Sequence, residues 1–598
     1  MTAKPNIILV LTDDQGYGDL GCHGNPHIQT PCIDRFYEES VRFTDFHVGP
    51  TCAPTRSGLV TGHYANSTGV WHTVGGRSLL RGNETTLAHV YRENGYRTGL
   101  FGKWHLGDSY PYRPQDRGFE TVVTHGGGGV SQMPDWWGND YFDDTYMTEN
   151  GPVEYSGFCT DVWFREAVKY IEQCGSAPFV CFITTNAPHS PYNVEKKYSD
   201  LYTGTVTDQK RRNFYGMITN IDENFGMLDK KLTELGIADD TILIFMTDNG
   251  TSCGGEQMHT AGLRGAKGSP YDGGHRVPFF MRWPNGGFKT GRDIDRITSF
   301  VDFMPTLMDL AGIDPEIYAQ LGFHGTSLKP LIQDGNCPWP ERTVFTDSQR
   351  LVNPVKWRKS AVMTDTYRLI NGKELYNMTQ DRGQEHDISG SHPEVVDKLR
   401  AEYEAWWDLV SGRFDEEIPI PIGTEPEPEA CLFAMDWRHP DNPRYTDPEM
   451  PEENDYLVWH QGQVRQGKGE RGYFEITVES AGEYEFELRR WPPEEERPIV
   501  QGIEPSGQGW RSDVILEEYS GYYSGGTALP ITGARVTVTR GSTVCAEASV
   551  PVEEGDVCAR ISCGLEKGPA HLACIFTGPD SFVKGAYYVR VRRLTSPE

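Results

Sequence analysis

Four short apolar runs constrain this chain more than any other feature. Asn6–Thr12, Thr98–Phe101, Phe179–Thr184 and Thr241–Thr247 are rich in Ile, Val, Leu and Phe, and each gives way to polar residues. Their length and β-branched content predict strands buried on both faces. Between them lie helix-like segments, Thr160–Gln173 and about Asp208 to Leu235. In the second, Phe214, Met217, Ile221, Phe225, Leu228 and Leu232 recur at helical spacing and read as core contacts. Strands alternating with helices predict a mainly parallel sheet covered on both sides. In such sheets ligands sit beyond the carboxyl ends of the strands. Asp13 and Asp14 follow one run directly, and Asp248 and Asn249 follow another, so all four are expected on one rim.

At 598 residues the chain is too long for one core, and two or three domains are expected. Residues 1–341 read as an α/β unit. Residues 342–413 read as a small α+β subdomain. There Val362–Ile370 alternates like a strand, Asn371-Gly372 signals a hairpin turn, Glu374–Met378 returns, and a helix over Pro393–Leu409 closes the unit. Residues 414–430 hold six acids, four prolines and no base, which predicts a linker or surface strap. From 431 to 598 short alternating pieces (Tyr473–Val478, Tyr484–Leu488, Ala534–Thr539, Ala586–Val591) predict an accessory all-β sandwich. Trp437, Trp459, Trp491 and Trp510 in that region either stack on sugars or serve its core and seam; the second reading is expected, because no spacing marks a sugar platform. Gly126–Gly129 lacks the lysine and strand-to-helix setting of a phosphate loop and reads as a flexible loop.

The formal charge of −29 argues against general nucleic-acid binding but leaves room for a local cationic cleft. Thirteen cysteines without paired spacing predict reduced thiols. The N-terminus shows no signal-peptide pattern, and no apolar run approaches the ~20 residues of a membrane span. Read literally the protein is cytoplasmic; a periplasmic or secreted protein whose leader has been removed reads identically.

The chemistry gathers around Cys52-Ala53-Pro54-Thr55-Arg56. Pro54 suits a first helical turn, and Arg56 lies one turn beyond Cys52 on the same face. A thiol at a helix start beside a guanidinium is well placed to meet an anion. Asp13, Asp14, Asp248 and Asn249 offer hard oxygen ligands suited to calcium or magnesium. Lys103 and His105 stand two apart after a predicted strand, so both can face one cleft.

Taken in order, Asn6–Asp14, Cys52–Arg56, Gly102-Lys103-Trp104-His105-Leu106-Gly107, Ala187-Pro188-His189, Ile242–Gly250 and the segment from Gly265 through Lys267 to Gly274 resemble the type I, formylglycine-dependent sulfatases of the alkaline-phosphatase superfamily. The resemblance covers roughly the first two-thirds of the chain. It implies an alkaline-phosphatase-like α/β/α sandwich with a small C-terminal subdomain, here followed by the extra β-sandwich. It further implies that a maturation enzyme oxidises Cys52 to formylglycine, whose hydrate attacks the sulfur of a sulfate ester through a sulfoenzyme intermediate. One divalent cation, calcium expected, is implied on Asp13, Asp14, Asp248, Asn249 and the converted side chain of Cys52. Arg56, Lys103 and Lys267 are implied to surround the sulfate, His105 to act as base, and His189, Lys267 or both to serve the leaving oxygen. His63 and His275 depart from the family pattern; His275 reads as a substrate contact or surface residue. The expected substrate is a sulfated carbohydrate. A phosphate or phosphonate ester hydrolase with the same nucleophile, and a noncatalytic glycan-binding protein, remain as rivals.

Overall fold

The computed structural model describes residues 4–594 except 289–290, 336, 440–441, 443–445, 448–456, 470 and 508. The apolar runs form the centre of a ten-stranded sheet. Thr241–Thr247, Asn6–Thr12, Phe179–Thr184, Arg97–Gly102 and Thr121–Thr124 lie side by side and parallel. Shorter flanking strands, among them Phe279–Arg282 and Thr145–Thr148, run antiparallel to their neighbours.

The first strand shows why the runs lack alternation. Ile7, Leu9 and Leu11 enter one core, while Ile8 and Val10 enter the other, and all five are buried. Each face is roofed by helices, so every position is apolar. Cys159–Cys174 and Gln209–Glu234 cover one face, with Phe214, Met217, Ile221, Phe225, Leu228 and Leu232 all in contact with it. Cys52–Thr61, Leu87–Glu93 and Phe303–Leu310 cover the other.

A four-stranded antiparallel sheet follows, built from Val344–Asp347, Ser360–Met363, Tyr367–Ile370 and Glu374–Asn377, with the helix Pro393–Ser411 behind it. The stretch Val362–Ile370, expected as one strand, is divided between two antiparallel strands. Thr364 turns the chain: its backbone N–H is bonded to Tyr367 O, and its side chain accepts from the N–H groups of Thr366 and Tyr367.

The C-terminal region holds a six-stranded path ordered Ile420–Ile422, Phe474–Val478, Gly568–Thr577, Gly533–Arg540, Thr543–Pro551, with Val583–Gly585 on the third strand. A second sheet contains Glu429–Phe433, Tyr588–Arg593, Gly482–Arg489 and Ala559–Leu565. The two sheets share one apolar core, which also takes in Val74, Leu79, Tyr112 and Met133 from the α/β unit. Short helices at Gln461–Arg465 and Ser520–Tyr523 interrupt the all-β pattern.

The stretch 414–430, expected as a linker, is structural at its centre. Ile418, Ile420 and Ile422 are buried, and Ile420–Ile422 is the edge strand of the larger sheet. An edge is where Pro419 and Pro421, lacking an N–H, are tolerated beside a strand. Among the described residues no helix is long and apolar enough to cross a membrane.

Candidate active site

Cys52 opens the helix Cys52–Thr61 and is 2% exposed. Thr51 precedes it in extended conformation without capping the helix through its side chain, so the first-turn N–H groups keep their partial positive charge for another acceptor. Arg56, one turn on, is committed elsewhere. Its Nη2 and Nε donate to Asp248 Oδ2 at 2.9 and 3.2 Å, and its Nη1 donates to Lys103 O at 2.9 Å.

The two ligand pairs that follow Asn6–Thr12 and Thr241–Thr247 meet as the sheet rule requires. Oxygens of Asp13, Asp14 and Asp248 lie within 4.8 Å of one another, all buried. Asp14 N donates to Asp248 Oδ1 at 3.1 Å, and Asn249 Nδ2 donates to Asp14 Oδ1 at 2.8 Å. Lys103 Nζ contacts Asp13 Oδ2 at 2.5 Å, and Lys267 Nζ contacts Asp14 Oδ1 at 2.6 Å. Burial followed by the Asp13 charge pushes the Asp248 carboxyl up to about 7, against the pull of Arg56. Burial would raise Asp14 as well, but Lys267, His189 and Lys103 together hold it below the usual carboxylate range.

This oxygen cluster fits a divalent cation. Asp13 Oδ1 and Asn249 Oδ1 are buried without a hydrogen-bond partner, and two acceptors with no donor are what a hard cation satisfies. The sulfur of Cys52 stands outside the cluster of mutually close ligand atoms, which comprises the three aspartates. It does feel their charge: burial raises its thiol, Lys103 and Lys267 oppose that, and Asp13 and Asp248 add to it.

A cavity of about 120 Å³ opens over the cluster, and Cys52, His105, His189 and Lys267 line it. His105 follows the strand Arg97–Gly102 with φ 62°, and Asp14 has φ 66°. Non-glycine residues in the left-handed region carry strain, which concentrates at sites where geometry matters more than stability. His105 Nε2 donates to Thr73 O at 2.9 Å, so the buried and unpartnered Nδ1 carries the lone pair. His189 Nδ1 donates to Ser190 O at 2.5 Å, and its Nε2 lies 3.5 Å from Asp14 Oδ2. Burial holds both imidazoles neutral, His189 down to about 3.

Of the three cations expected around the anion, Lys267 reaches the cavity wall. Arg56 and Lys103 act through the acids they neutralise. Three cations against three carboxylates leave the cluster near neutrality, so an added dication turns the cavity positive despite the acidic exterior.

Gly126–Gly129 is buried rather than loose. Gly128 packs against the His105 ring so closely that a Cβ there would fall 2.3 Å from Cε1. His63 ends the nucleophile helix. Its Nδ1 meets Glu84 Oε2 at 2.8 Å and its Nε2 meets Leu321 O at 3.0 Å, which makes it a brace behind Cys52.

His275 corrects the reading as substrate contact or surface. It is fully buried, with Nδ1 2.9 Å from His47 Nδ1 and Nε2 bonded to Pro270 O. Beside it Arg368, from the small antiparallel sheet, ties Asp45 (2.8 Å) to Asp272 (3.0 Å). That network locks the small sheet onto the segment carrying Lys267. Gln132, Arg350 and Trp459 also line the cavity. Sequence reasoning did not find the first two; Trp459 was one of four indistinguishable tryptophans.

A parallel α/β sheet with an acid cluster and a helix-start thiol at its carboxyl rim is an arrangement suited to metal-assisted hydrolysis of an anionic ester. The comparisons make this specific. A family model described as Sulfatase matches residues 5–313, and one described as N-sulphoglucosamine sulphohydrolase, C-terminal, matches residues 267–405. The chain belongs to the sulfatase family. It is 29% identical to arylsulfatase J of Mus musculus over 56% of this chain and 56% of that protein. It is 31% identical to arylsulfatase G of Mus musculus over 52% and 65%. The chain thus spans less than two-thirds of these relatives' length. The ulvan-active sulfatase of Formosa agariphila is 28% identical over 59% of this chain and 68% of its own. Among solved structures, Ps i-CgsB in complex with k-i-k-neocarrahexaose superposes with a TM-score of 0.61 at 26% identity, over 69% of this chain and 99% of that one.

Proposed function

We propose that this protein hydrolyses sulfate monoesters carried on carbohydrate, with residue 52 acting as formylglycine and a divalent cation, calcium by choice of ligands, on Asp13, Asp14, Asp248 and Asn249. One observation carries the reading: Cys52, His105, His189 and Lys267 share one small cavity directly beside the buried acid cluster. A bound cation there supplies Lewis-acid polarisation of an ester oxygen and lowers the pKa of a nearby hydroxyl. Hydrated, formylglycine would carry two hydroxyls on one carbon: one would bond to sulfur, and loss of the other's proton would reform the aldehyde as the carbon–oxygen bond to sulfate breaks, without attack of water on sulfur.

The chain's own residues do the rest. The uncapped helix start and Lys267 hold the sulfate oxygens. His105, with Nε2 tied to Thr73 O, presents Nδ1 as the base that takes a proton from residue 52. Lys267 Nζ, paired with Asp14 on the cavity wall, is the proton source for the leaving oxygen, and neutral His189, its proton on Nδ1, presents the Nε2 lone pair as an acceptor beside it. Arg56 and Lys103 hold Asp248 and Asp13 in place. Relatives named for sulfated polysaccharide and sugar substrates, the ulvan-active sulfatase and N-acetylgalactosamine-6-sulfatase of Homo sapiens among them, support a carbohydrate ester.

The test is mass spectrometry of the peptide containing position 52, together with catalytic efficiencies on matched sulfate and phosphate esters. The reading expects the –CH2SH group of residue 52 to appear as –CHO, sulfur replaced by oxygen with loss of two hydrogens, together with sulfate preferred over phosphate and loss of turnover in Cys52→Ala. A phosphate preference at saturating metal overturns it.

A further inference from the structure

We propose that Trp459 is a sugar-binding, specificity-determining residue that the C-terminal β-rich region delivers into the catalytic cavity. The proposal deepens the sulfatase reading and rests on it. The two family models end at residues 313 and 405, so Trp459 lies outside the matched region. Yet it lines the same cavity as Cys52, His105, His189 and Lys267.

The four tryptophans singled out in the sequence separate cleanly by environment. Trp437 and Trp491 are 1% and 0% exposed and belong to the β core. Trp510 is 37% exposed, on the surface beside Tyr523. Trp459 packs against the same core as Trp437 and Trp491, but it alone of the four is half-buried and also lines the cavity.

Its placement is built rather than incidental. Met133 N donates to Trp459 O at 3.0 Å, and Gln132 and His460 form an antiparallel bridge. Trp459 N donates to Gln463 Oε1 at 2.9 Å. His460 Nε2 lies 2.9 Å from Ser131 Oγ. The Gln461 side chain accepts from Gly138 N at 3.0 Å and donates to Asp135 O at 3.0 Å and Trp136 O at 3.1 Å. These bonds fasten Trp459 to the same loop whose Gly128 packs on His105. Tyr522 meets the indole edge-on, with ring centroids 6.4 Å apart.

A cavity of about 120 Å³ holds the sulfate end of a substrate and little more, so the sugar must rest on the residues around its mouth. Anionic groups already have Lys267 and the helix start. Gln132 and Trp459 share that cavity with them, so the lining adds an aromatic ring and an amide. That combination suits the C–H face of a pyranose with hydroxyls at its rim. A bare sulfate ion has no use for it.

The experiment is calorimetric titration of the calcium-loaded full chain carrying Cys52→Ala, which separates binding from turnover. The probes are inorganic sulfate, N-acetylgalactosamine 6-sulfate, D-glucosamine-2-N,6-O-disulfate and k-i-k-neocarrahexaose. At least one sugar is expected to bind more tightly than sulfate. Adding Trp459→Ala should weaken that sugar by roughly 10-fold or more while sulfate affinity changes by less than about 2-fold. Trp459→Phe should restore most of the loss. Equal weakening of sugar and sulfate, no weakening of the sugar, or no sugar binding beyond that of sulfate overturns the proposal. If Trp459→Ala behaves as expected while the unsubstituted protein releases no sulfate from the bound sugar, the hydrolytic reading fails and the sugar site stands.

Discussion

Replacing Gly128 with alanine should disable the enzyme through one methyl group. The added Cβ would lie 2.3 Å from His105 Cε1, 2.6 Å from Nε2 and 2.8 Å from Nδ1, whereas ordinary contact begins at 3.4 Å. The ring must therefore retreat by about 1 Å. It has little room to do so: His105 is 4% exposed and its Nε2 is held by Thr73 O. Overpacking of this kind costs about 1–3 kcal/mol of stability. A 1 Å displacement of a proton-transfer group costs ~100-fold in rate, or about 2.7 kcal/mol of barrier. Gly129→Ala is the matched control. Its Cβ meets nothing closer than Gln132 Nε2 at 3.4 Å, and neither glycine has a positive φ, so backbone strain is equal in the two variants. The assay is initial-rate sulfate release from 4-nitrophenyl sulfate, with an unfolding midpoint measured alongside. Gly128→Ala should lose ~100-fold in kcat with KM changed by less than ~3-fold, and Gly129→Ala should match the parent. If Gly128→Ala stays within ~3-fold of the parent, or both variants fall equally, the reasoning that places His105 at the reaction and this loop behind it is refuted.

If the proposed cation site is filled, chelating divalent cations should abolish activity and lower thermal stability; restoring the cation at about 100 times its Kd should return ~2.7 kcal/mol, and Asp13→Asn should erase that gain, as a chelator-dependent unfolding series would show. Arg368→Met breaks a fully buried bridge between Asp45 and Asp272, so a loss of about 3–5 kcal/mol is expected in chemical denaturation at neutral pH. That loss should depend on pH. Burial works against ionisation of Asp272, but Arg368, His47, His275 and Arg276 together outweigh it and depress the carboxyl to about 2 from an ordinary 3.8. A depressed carboxylate stabilises above its unfolded pKa and stops doing so as pH falls through its folded one. The gap between parent and Arg368→Met should therefore narrow between about pH 4 and pH 2; a pH-independent gap contradicts the ion-pair account.

How much was legible in the chain itself follows from the range of the interactions. The buried strands were readable because a sheet roofed on both faces demands uninterrupted Ile, Val, Leu and Phe, a demand met locally and visible in any short window. The metal cluster was readable for a related reason: Asp13-Asp14 and Asp248-Asn249 directly follow adjacent parallel strands, so strand register alone brings them together. The helix-start geometry of Cys52 and Arg56 was local too. Arg56 and Lys103 turning to Asp248 and Asp13, rather than lining the cavity, was not, because buried charges choose partners by three-dimensional proximity. The edge-strand role of Ile420–Ile422 was hidden by flanking prolines whose meaning depends on having an open sheet edge beside them. Gly128 read as part of a flexible loop and His275 as a substrate contact or surface residue; the first is pressed on His105 and the second is sealed against His47. Trp459 illustrates the limit best. Its indole is indistinguishable in sequence from the core residues Trp437 and Trp491, and its place beside a nucleophile 407 positions earlier comes from docking of two separately built cores. Periodicity and adjacency are written along the chain, whereas which side chain faces an open cavity is settled by how finished layers pack.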